Sequence, residues 1–266
     1  AGCLLGSGVG ALLVTVMGRQ GMEAWGWRLP FLLGAGLGVV GLYLRLTVEE
    51  TPHFQNLTES QGVARLPLRE ALRHQGREMV SAFSLLWLSS VGFFTVFVYM
   101  PGYLTGVGRL PLDSAMTINW LGMVVVGVVG PLMGAWSDRV GRKPPLLFAA
   151  AGMLVLSYPL FWLLSQGDFV LCLAAQCTFA VLLATLASPL YALVVELFTT
   201  RTRYTALSLA FNTATALFGG TAPLLATYLV ERTGNPCSPG LYMLLSAAVT
   251  VGVVCLIRET YREPLR

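Results

Sequence analysis

The sequence GAWSDRVGRKPP, residues 134–145, is a short charged turn between two long apolar runs. Residues 121–136 and 144–167 contain no Asp, Glu, Lys or Arg. The charged side chains in the turn cannot lie in hydrocarbon, so the turn must sit at one face of a membrane. Its four charges belong to Asp138, Arg139, Arg142 and Lys143. The stretch therefore predicts a hairpin of two membrane-spanning helices.

Composition supports a membrane protein for the whole chain. Apolar residues make up 55% of the sequence, charged residues 11%, and the mean hydropathy is +0.70. An ordinary soluble domain is about 25% charged. The net charge of +4 comes from basic residues scattered over loops, which excludes a nucleic-acid groove and predicts no nucleic-acid partner.

Metal, disulfide and catalytic signals are weak. The five cysteines have no regular spacing, which argues against a zinc site or a disulfide framework. Both histidines, His53 and His74, fall in one polar loop. No recognised catalytic motif lies on a suitable element. We therefore predict no enzyme activity, no metal and no cofactor.

Eight apolar runs are long enough to span a membrane or nearly so, since a spanning helix needs about 20 apolar residues. The predicted fold class is all-α and polytopic. The first run begins at the first residue of the chain, so we expect a truncated span and a fragment of a longer protein. The predicted spans are residues 1–17, 27–46, 79–104, 115–136, 146–164, 169–195, 206–230 and 241–257.

The basic residues predict the orientation of the spans. Cytoplasmic loops carry an excess of Lys and Arg. One set of alternate loops and the tail hold Arg45, Arg65, Arg69, Arg73, Arg77, Arg139, Arg142, Lys143, Arg201, Arg203, Arg258, Arg262 and Arg266. The opposite loops hold Arg19, Arg28, Arg109 and Arg232. Both ends of the chain are therefore expected on the cytoplasmic side, in the plasma (inner) membrane.

One loop is longer than the others and divides the chain. We predict two helices of an N-terminal half at 1–46, a central cytoplasmic loop at 47–78, a six-helix C-terminal half at 79–258 and a tail at 259–266. Residues 67–79, PLREALRHQGREM, have apolar positions on one side of a helix. They predict either an amphipathic helix on the membrane surface or a solvated linker helix.

Glycine and proline are frequent inside the spans. Gly122, Gly127, Gly130 and Gly134 lie in one predicted helix and favour close helix contact. The prolines are Pro131, Pro159, Pro189 and Pro223. They indicate kinks that serve packing, or, at the last two, bending during a transport cycle.

The side chains at membrane depth are neutral. From residue 79 onward no charge lies at the centre of a span, and Glu196 lies at the inner end of its helix. A neutral, aromatic wall suits a small zwitterion or quaternary ammonium through cation–π contact, but the same residues also suit plain helix packing. The candidate cavity residues are Trp87, Phe94, Tyr99, Gln176, Tyr191 and Asn212.

The charged turn resembles the signature G-x-x-x-D-R-x-G-R-[KR] of the major facilitator superfamily. The matching residues are Gly134, Asp138, Arg139, Gly141, Arg142 and Lys143. Other segments resemble its metabolite:proton symporter branch, nearest to the carriers of proline and glycine betaine. They are WGWRLPF at 25–31, LYLR at 42–45, EETPHFQ at 49–55, YMPGYL at 99–104, RYTALSLAFN at 203–212 and FGGTAP at 218–223.

The resemblance implies helices 5 to 12 of a twelve-helix transporter. It implies import of a small organic solute, a proline- or betaine-like zwitterion or an organic acid, by proton symport and alternating access. The coupling proton is then expected to act on residues outside these eight spans. One departure is Thr199, where the family usually has proline after Glu-Leu-Phe.

The same resemblance implies a gate at the charged turn. In the family the Asp caps a neighbouring helix and pairs with Arg, which holds the inner helix ends together. We assign this role to Asp138, Arg139 and Arg142, with Glu196 and Arg203 as partners. The alternative is that the charges only set topology, although topology alone does not require Gly141.

Two further hypotheses remain from the sequence. The chain could be a non-transporting membrane remnant of a truncated transporter gene, because four missing helices would leave a cavity without its opposite wall. A membrane-embedded enzyme lacks a catalytic constellation. The expected partners are a small-molecule solute and the lipid bilayer. No sequence feature fixes the oligomeric state, and a monomer is expected.

Overall fold

A computed structural model describes residues 2–47, 73, 75–199, 202–259 and 261. This part of the chain forms eight helices and no strand, as the apolar runs predicted. Seven of these are long and apolar enough to cross a membrane. The helices are α1 Gly2–Ala24, α2 Leu29–Thr47, α3 Gly76–Gly106, α4 Leu112–Val140, α5 Lys143–Ser165, α6 Phe169–Leu197, α7 Arg203–Thr233 and α8 Ser238–Leu256.

The first helix is short because it bends at a glycine. Gly18 has φ 66° and ψ 175°, a backbone conformation outside the helical region. The apolar helix before it covers only Gly2–Gly18. The predicted truncation of this span at the start of the chain stays a prediction. Most of the predicted loop at 47–78, with its amphipathic helix, lies outside the described residues.

Helices α3 to α8 share one core. Helix α4 packs along α6, α5 packs between α6 and α8, and α3 packs against α7 and α8. The core holds Leu85 and Leu86 of α3, Phe161 of α5 and Phe179 of α6, all fully buried. Helix α1 packs on α4, where Gly8 leaves room for Trp120; a Cβ at Gly8 would lie 2.8 Å from the indole Nε1.

Helix α2 is the exception. None of its residues is buried, and its apolar side chains are open along its whole length. Such a surface fits hydrocarbon or another membrane helix, not water. Within the described residues, α2 has only a small contact with α1 and the turn before it.

Helices α3 and α7 each contain a π-helical segment, Phe94–Tyr99 and Thr215–Gly219. Each segment comes just before a proline, Pro101 or Pro223. Proline cannot bond the carbonyl four residues earlier and clashes with it. Those carbonyls belong to Phe97 and Gly219, which both lie in the π segments. A wider turn at these points relieves the clash.

The two helices touch at these segments. The ring of Phe94 lies against Gly219, where a Cβ would be 2.8 Å from its Cδ2. The Ser90 and Thr215 hydroxyls are 3.4 Å apart. The other predicted kinks differ, because Pro131, Pro159 and Pro189 lie inside continuous helices.

Six helix ends meet at one end of the bundle, which we call the motif face. It comprises the start of α3, the α4–α5 turn, the α6–α7 turn and the end of α8. Gln75, just before α3, donates to the hydroxyls of Thr199 and Thr202 in the α6–α7 turn, the latter at 2.8 Å. Thr199, where proline was expected, thus supplies a side-chain acceptor between α3 and α7.

Candidate functional site

Arg142 is the centre of the motif face. Its Nη1 donates to Asp138 Oδ1 at 2.6 Å and to Ser137 Oγ at 3.1 Å. Its Nη2 and Nε donate to Glu196 Oε1 at 3.1 and 3.2 Å. The guanidinium fork therefore joins the end of α4 to the end of α6, a geometry that a lysine cannot reproduce.

The ion pairs differ in exposure. The Arg142 and Glu196 side chains are 14% and 19% exposed, whereas Asp138 is 66% exposed. Burial lowers the pKa of Arg142, but the bonds to Asp138 and the charge of Glu196 outweigh it and raise the pKa above its ordinary value. Arg142 therefore stays charged at every physiological pH. The pair with Glu196 is the better shielded of the two.

Glu259, in the tail after α8, is a member of this site that sequence reasoning missed. The backbone N–H groups of Arg142 and Lys143 each donate to its carboxylate, at 3.0 Å. These amides belong to the start of α5, where helix N–H groups lack partners within the helix. In the described structure the carboxylate that caps α5 is therefore Glu259, while Asp138 accepts from Arg142.

A weak signal for Glu259 exists in the sequence. The first turn of α5 contains no acid, and Arg142 makes no side-chain cap bond. A helix start without its own acceptor needs one from elsewhere. Glu259 is the first acid after the last span, but it lies 117 residues from Arg142, and spacing alone cannot pair groups so far apart.

Gly141 is required by its geometry. Its φ is 102°, a region that side chains rarely adopt. A Cβ there would also lie 2.9 Å from Glu259 Oε2. The glycine thus permits both the turn out of α4 and the approach of the tail carboxylate.

The remaining motif residues are less involved. Space around Gly134 is open. Arg139 is exposed and makes no ion pair within the described part of the chain. Arg203, predicted as a partner, donates from Nε to the Phe198 carbonyl at 3.1 Å and so closes the α6–α7 turn. Glu196, the other predicted partner, accepts two hydrogen bonds from Arg142 of the motif.

The six cavity candidates fall into different environments. Gln176 is fully buried, and its Nε2 donates to the Val96 carbonyl at 2.9 Å and to Asn119 Oδ1 at 3.3 Å. It thus binds a carbonyl in the π segment of α3. Gly122 allows this approach, since a Cβ there would lie 3.0 Å from Gln176 Cγ. These contacts describe a core residue.

Three aromatic candidates lie on α3. Trp87 is half-buried and stacks on Phe218 of α7, with ring centroids 4.4 Å apart. Phe94 lies against Gly219, and the ring centroids of Tyr99 and Tyr103 are 5.7 Å apart. Trp87 and Phe94 thus contact α7, whereas the ring contact of Tyr99 lies within α3, and each of the three keeps some exposed surface.

Tyr191 and Asn212 are the open candidates. Tyr191 of α6 is 47% exposed and its ring lies 6.2 Å from that of Phe211 of α7. Asn212 follows Phe211, is exposed, and donates to its own helix at the Ser208 carbonyl. Together these three residues form an open, neutral, aromatic surface across α6 and α7.

Comparison with known proteins identifies related chains. The family model described as Major Facilitator Superfamily matches residues 1–223 and 112–266. The glycine betaine/proline/ectoine/pipecolic acid transporter OusA of Dickeya dadantii is 33% identical over 100% of this chain and 55% of its own length. The proline/betaine transporter of Escherichia coli is 32% identical over the same shares.

A third relative gives the same result. The ectoine/proline transporter ProP of Corynebacterium glutamicum is 30% identical over 99% of this chain and 56% of its own length. The chain thus spans about half the length of the curated relatives it matches. The predicted resemblance to the proline and glycine betaine carriers is confirmed.

Proposed function

The chain belongs to the major facilitator superfamily, and we propose that it forms helices 5 to 12 of a secondary transporter that imports a small organic solute. A proline- or betaine-like zwitterion is the proposed substrate class, and an organic acid is the second. The observation that carries the proposal is the similarity to betaine and proline transporters over the whole chain. The relatives are named as transporters, which supports transport and not catalysis.

The open surface supports the substrate class. Tyr191 and Phe211 present aromatic faces, and Asn212 adds a neutral amide. Aromatic faces attract quaternary ammonium groups, and an amide can bond a carboxylate, so a zwitterion finds both kinds of partner. These residues would form one wall of a cavity, with the opposite wall supplied by the rest of the longer protein.

Transport is proposed to occur by alternating access with proton symport. The described spans α3 to α8 carry charges only near their ends, such as Glu196 and Glu231. An acid at membrane depth is the usual proton site. We therefore place the coupling acid in the part of the longer protein that corresponds to the other half of the relatives.

The motif face is proposed to be the inner gate and to lie in the cytoplasm. It carries Arg77, Arg142, Lys143, Arg203 and Arg258, whereas Arg109 and Arg232 lie at the other end. This charge asymmetry favours the cytoplasmic side. The plasma membrane is the proposed location, with both ends of the chain in the cytoplasm.

Uptake by the full-length gene product tests this function. It would be expressed in cells that lack their own carriers and supplied with labelled proline, betaine, 2-oxoglutarate or citrate, with and without a protonophore. We expect protonophore-sensitive uptake of proline or betaine. Absence of uptake for all four, with insertion verified, would contradict the proposal and favour the remnant hypothesis.

A further inference from the structure

The helix ends of α5 and α8 cap each other. Glu259, after α8, accepts from the first amides of α5, Arg142 N and Lys143 N, at 3.0 Å each. In return, Lys143 Nζ donates to the carbonyls of Ile257 at 2.7 Å and Cys255 at 3.4 Å, at the end of α8. An acid thus sits at a helix start and a cation at a helix end, the arrangement that both helix dipoles favour.

The tail also reaches α4. The Tyr261 hydroxyl donates to the Asp138 carbonyl at 2.6 Å, and the Tyr261 amide donates to Glu259 Oε1 at 3.3 Å. We call residues 255–259 and Tyr261 the tail clasp. It contacts the end of α4, the α4–α5 turn and the start of α5 from a position remote in sequence.

The clasp holds the base of the gate arginine. Glu259 fixes the Arg142 backbone, and the Arg142 side chain then extends to Glu196 on α6. The approach depends on Gly141, whose missing Cβ would lie 2.9 Å from Glu259 Oε2. The bond between the α4–α5 turn and α6 therefore depends on where the tail carboxylate holds this turn.

We propose that Glu259 is a positioning residue of the inner gate, which acts by fixing the turn that presents Arg142 to Glu196. The gating part of this proposal rests on the proposed function above. Loss of the carboxylate weakens the contact between Arg142 and Glu196 that closes the inner gate. The fraction of protein that faces outward therefore falls. Apparent affinity for an external solute falls in proportion to the binding-competent fraction.

A matched control exists at the opposite end of the bundle. Asp168 Oδ1 caps α6 by accepting from Val170 N and Leu171 N, at 2.9 Å each. Asp168→Ala and Glu259→Ala therefore each remove a carboxylate that binds two amides at a helix start. If each carboxylate only stabilised its helix, the two substitutions would have the same effect.

The first experiment is independent of transport. Purified full-length protein, unmodified or carrying either substitution, would be digested briefly with trypsin, and cleavage after Arg139 and Arg142 would be quantified. We expect Glu259→Ala to speed this cleavage several-fold and Asp168→Ala to leave it unchanged. Equal rates for Glu259→Ala and the unmodified protein would overturn the clasp, whether or not the protein transports.

The second experiment measures proline or betaine uptake. We expect Glu259→Ala to raise the KM for external solute about 3- to 10-fold, with Asp168→Ala within twofold of the unmodified value. An equal rise in both variants, or no rise in Glu259→Ala, would overturn the gating role. If the unmodified protein transports nothing, the proposed function fails, and the gating role built on it falls too, while the digestion result still decides the clasp.

Discussion

At the scale of single residues, the site was predictable where charge alone determines position. Asp138, Arg142 and Glu196 were expected at one membrane face, because charges avoid hydrocarbon, and they do meet there. Glu259 was not predicted, because its contact with Arg142 depends on how α8 packs beside α5. The buried position of Gln176 was equally hidden, since sequence shows a polar residue at membrane depth but not the helix it faces.

Asp138 gives a direct test of the gate. Asp138→Asn removes the negative charge from the 2.6 Å bond to Arg142, and with it the Coulombic attraction of the ion pair. Because Asp138 is 66% exposed, we expect the closed gate to lose no more than about 1 kcal/mol of stabilisation. A loss of that size corresponds to roughly fivefold slower uptake. Initial uptake per inserted protein would be measured in the full-length protein.

Asp113→Asn is the control for this prediction. Asp113 lies in the first turn of the same helix, at the other end of the bundle. We expect uptake close to that of the unmodified protein. Normal uptake by Asp138→Asn would show that its charge serves topology alone.

Substitutions at Gln176 and Asn212 should affect different quantities, the stability of the fold at Gln176 and the KM for substrate at Asn212. Gln176→Leu breaks two buried hydrogen bonds, to Val96 and Asn119. The Gln176 Oε1 lacks a partner among the described residues, which reduces the net loss to about 1 kcal/mol. We expect a melting midpoint lower by a few degrees and an unchanged KM.

Asn212→Ala should do the opposite. Within the part of the chain that the structure describes, its amide bonds only its own helix and is exposed, so the melting midpoint should stay the same. If Asn212 faces the substrate, KM for proline or betaine rises. A changed KM in Gln176→Leu with an unchanged one in Asn212→Ala would contradict this division.

At the scale of helices, the sequence predicted the number and the approximate limits of the spans. Runs of about 20 apolar residues between charged loops leave few alternatives in a membrane. The bend at Gly18 and the π segments were not predicted. They depend on which helix crosses which, as the contact of Gly219 with Phe94 shows. The prolines Pro101 and Pro223 lie close to the two π segments, but a proline alone does not predict a π-helical turn.

The α3–α7 crossing can be tested at Gly219. A Cβ at this position would lie 2.8 and 2.9 Å from Phe94 Cδ2 and Cε2. The Phe94 ring is packed among its neighbours and cannot move away freely. Gly219→Ala should therefore lower the free energy of unfolding by about 1–3 kcal/mol. The melting midpoint of the detergent-solubilised protein would report the loss.

Gly252 supplies the matched substitution. It lies inside α8, and no atom of the described residues lies within 4 Å of an added Cβ. Alanine is the better helix former by about 1 kcal/mol, so Gly252→Ala should leave the midpoint unchanged or raise it. Equal midpoints for the two variants would mean that the crossing is looser than the structure shows.

At the scale of the whole molecule, composition and one motif were sufficient to predict an all-α membrane protein of this superfamily. The division of the chain into two unequal parts stays a prediction. Among the described residues, α3 to α8 pack on one another and α2 has no buried residue. Helix α1 packs mainly on α4, through Gly8 and Trp120.

This division predicts that residues 73–266 form a stable six-helix unit. Removing α1 and α2 uncovers one face of α4, but in lipid or detergent an uncovered apolar face costs little, because hydrocarbon replaces the lost helix. We expect the shortened protein to insert, to resist brief proteolysis and to melt within a few degrees of the 266-residue chain.

Deleting residues 234–266 is the comparison, since it removes α8 and with it packing partners of α3 and α5 and the cap of Glu259 on α5. That variant should be degraded rapidly. If the shortened 73–266 protein were degraded equally fast, the six helices would depend on α1 and α2, and the proposed boundary between the halves would be wrong.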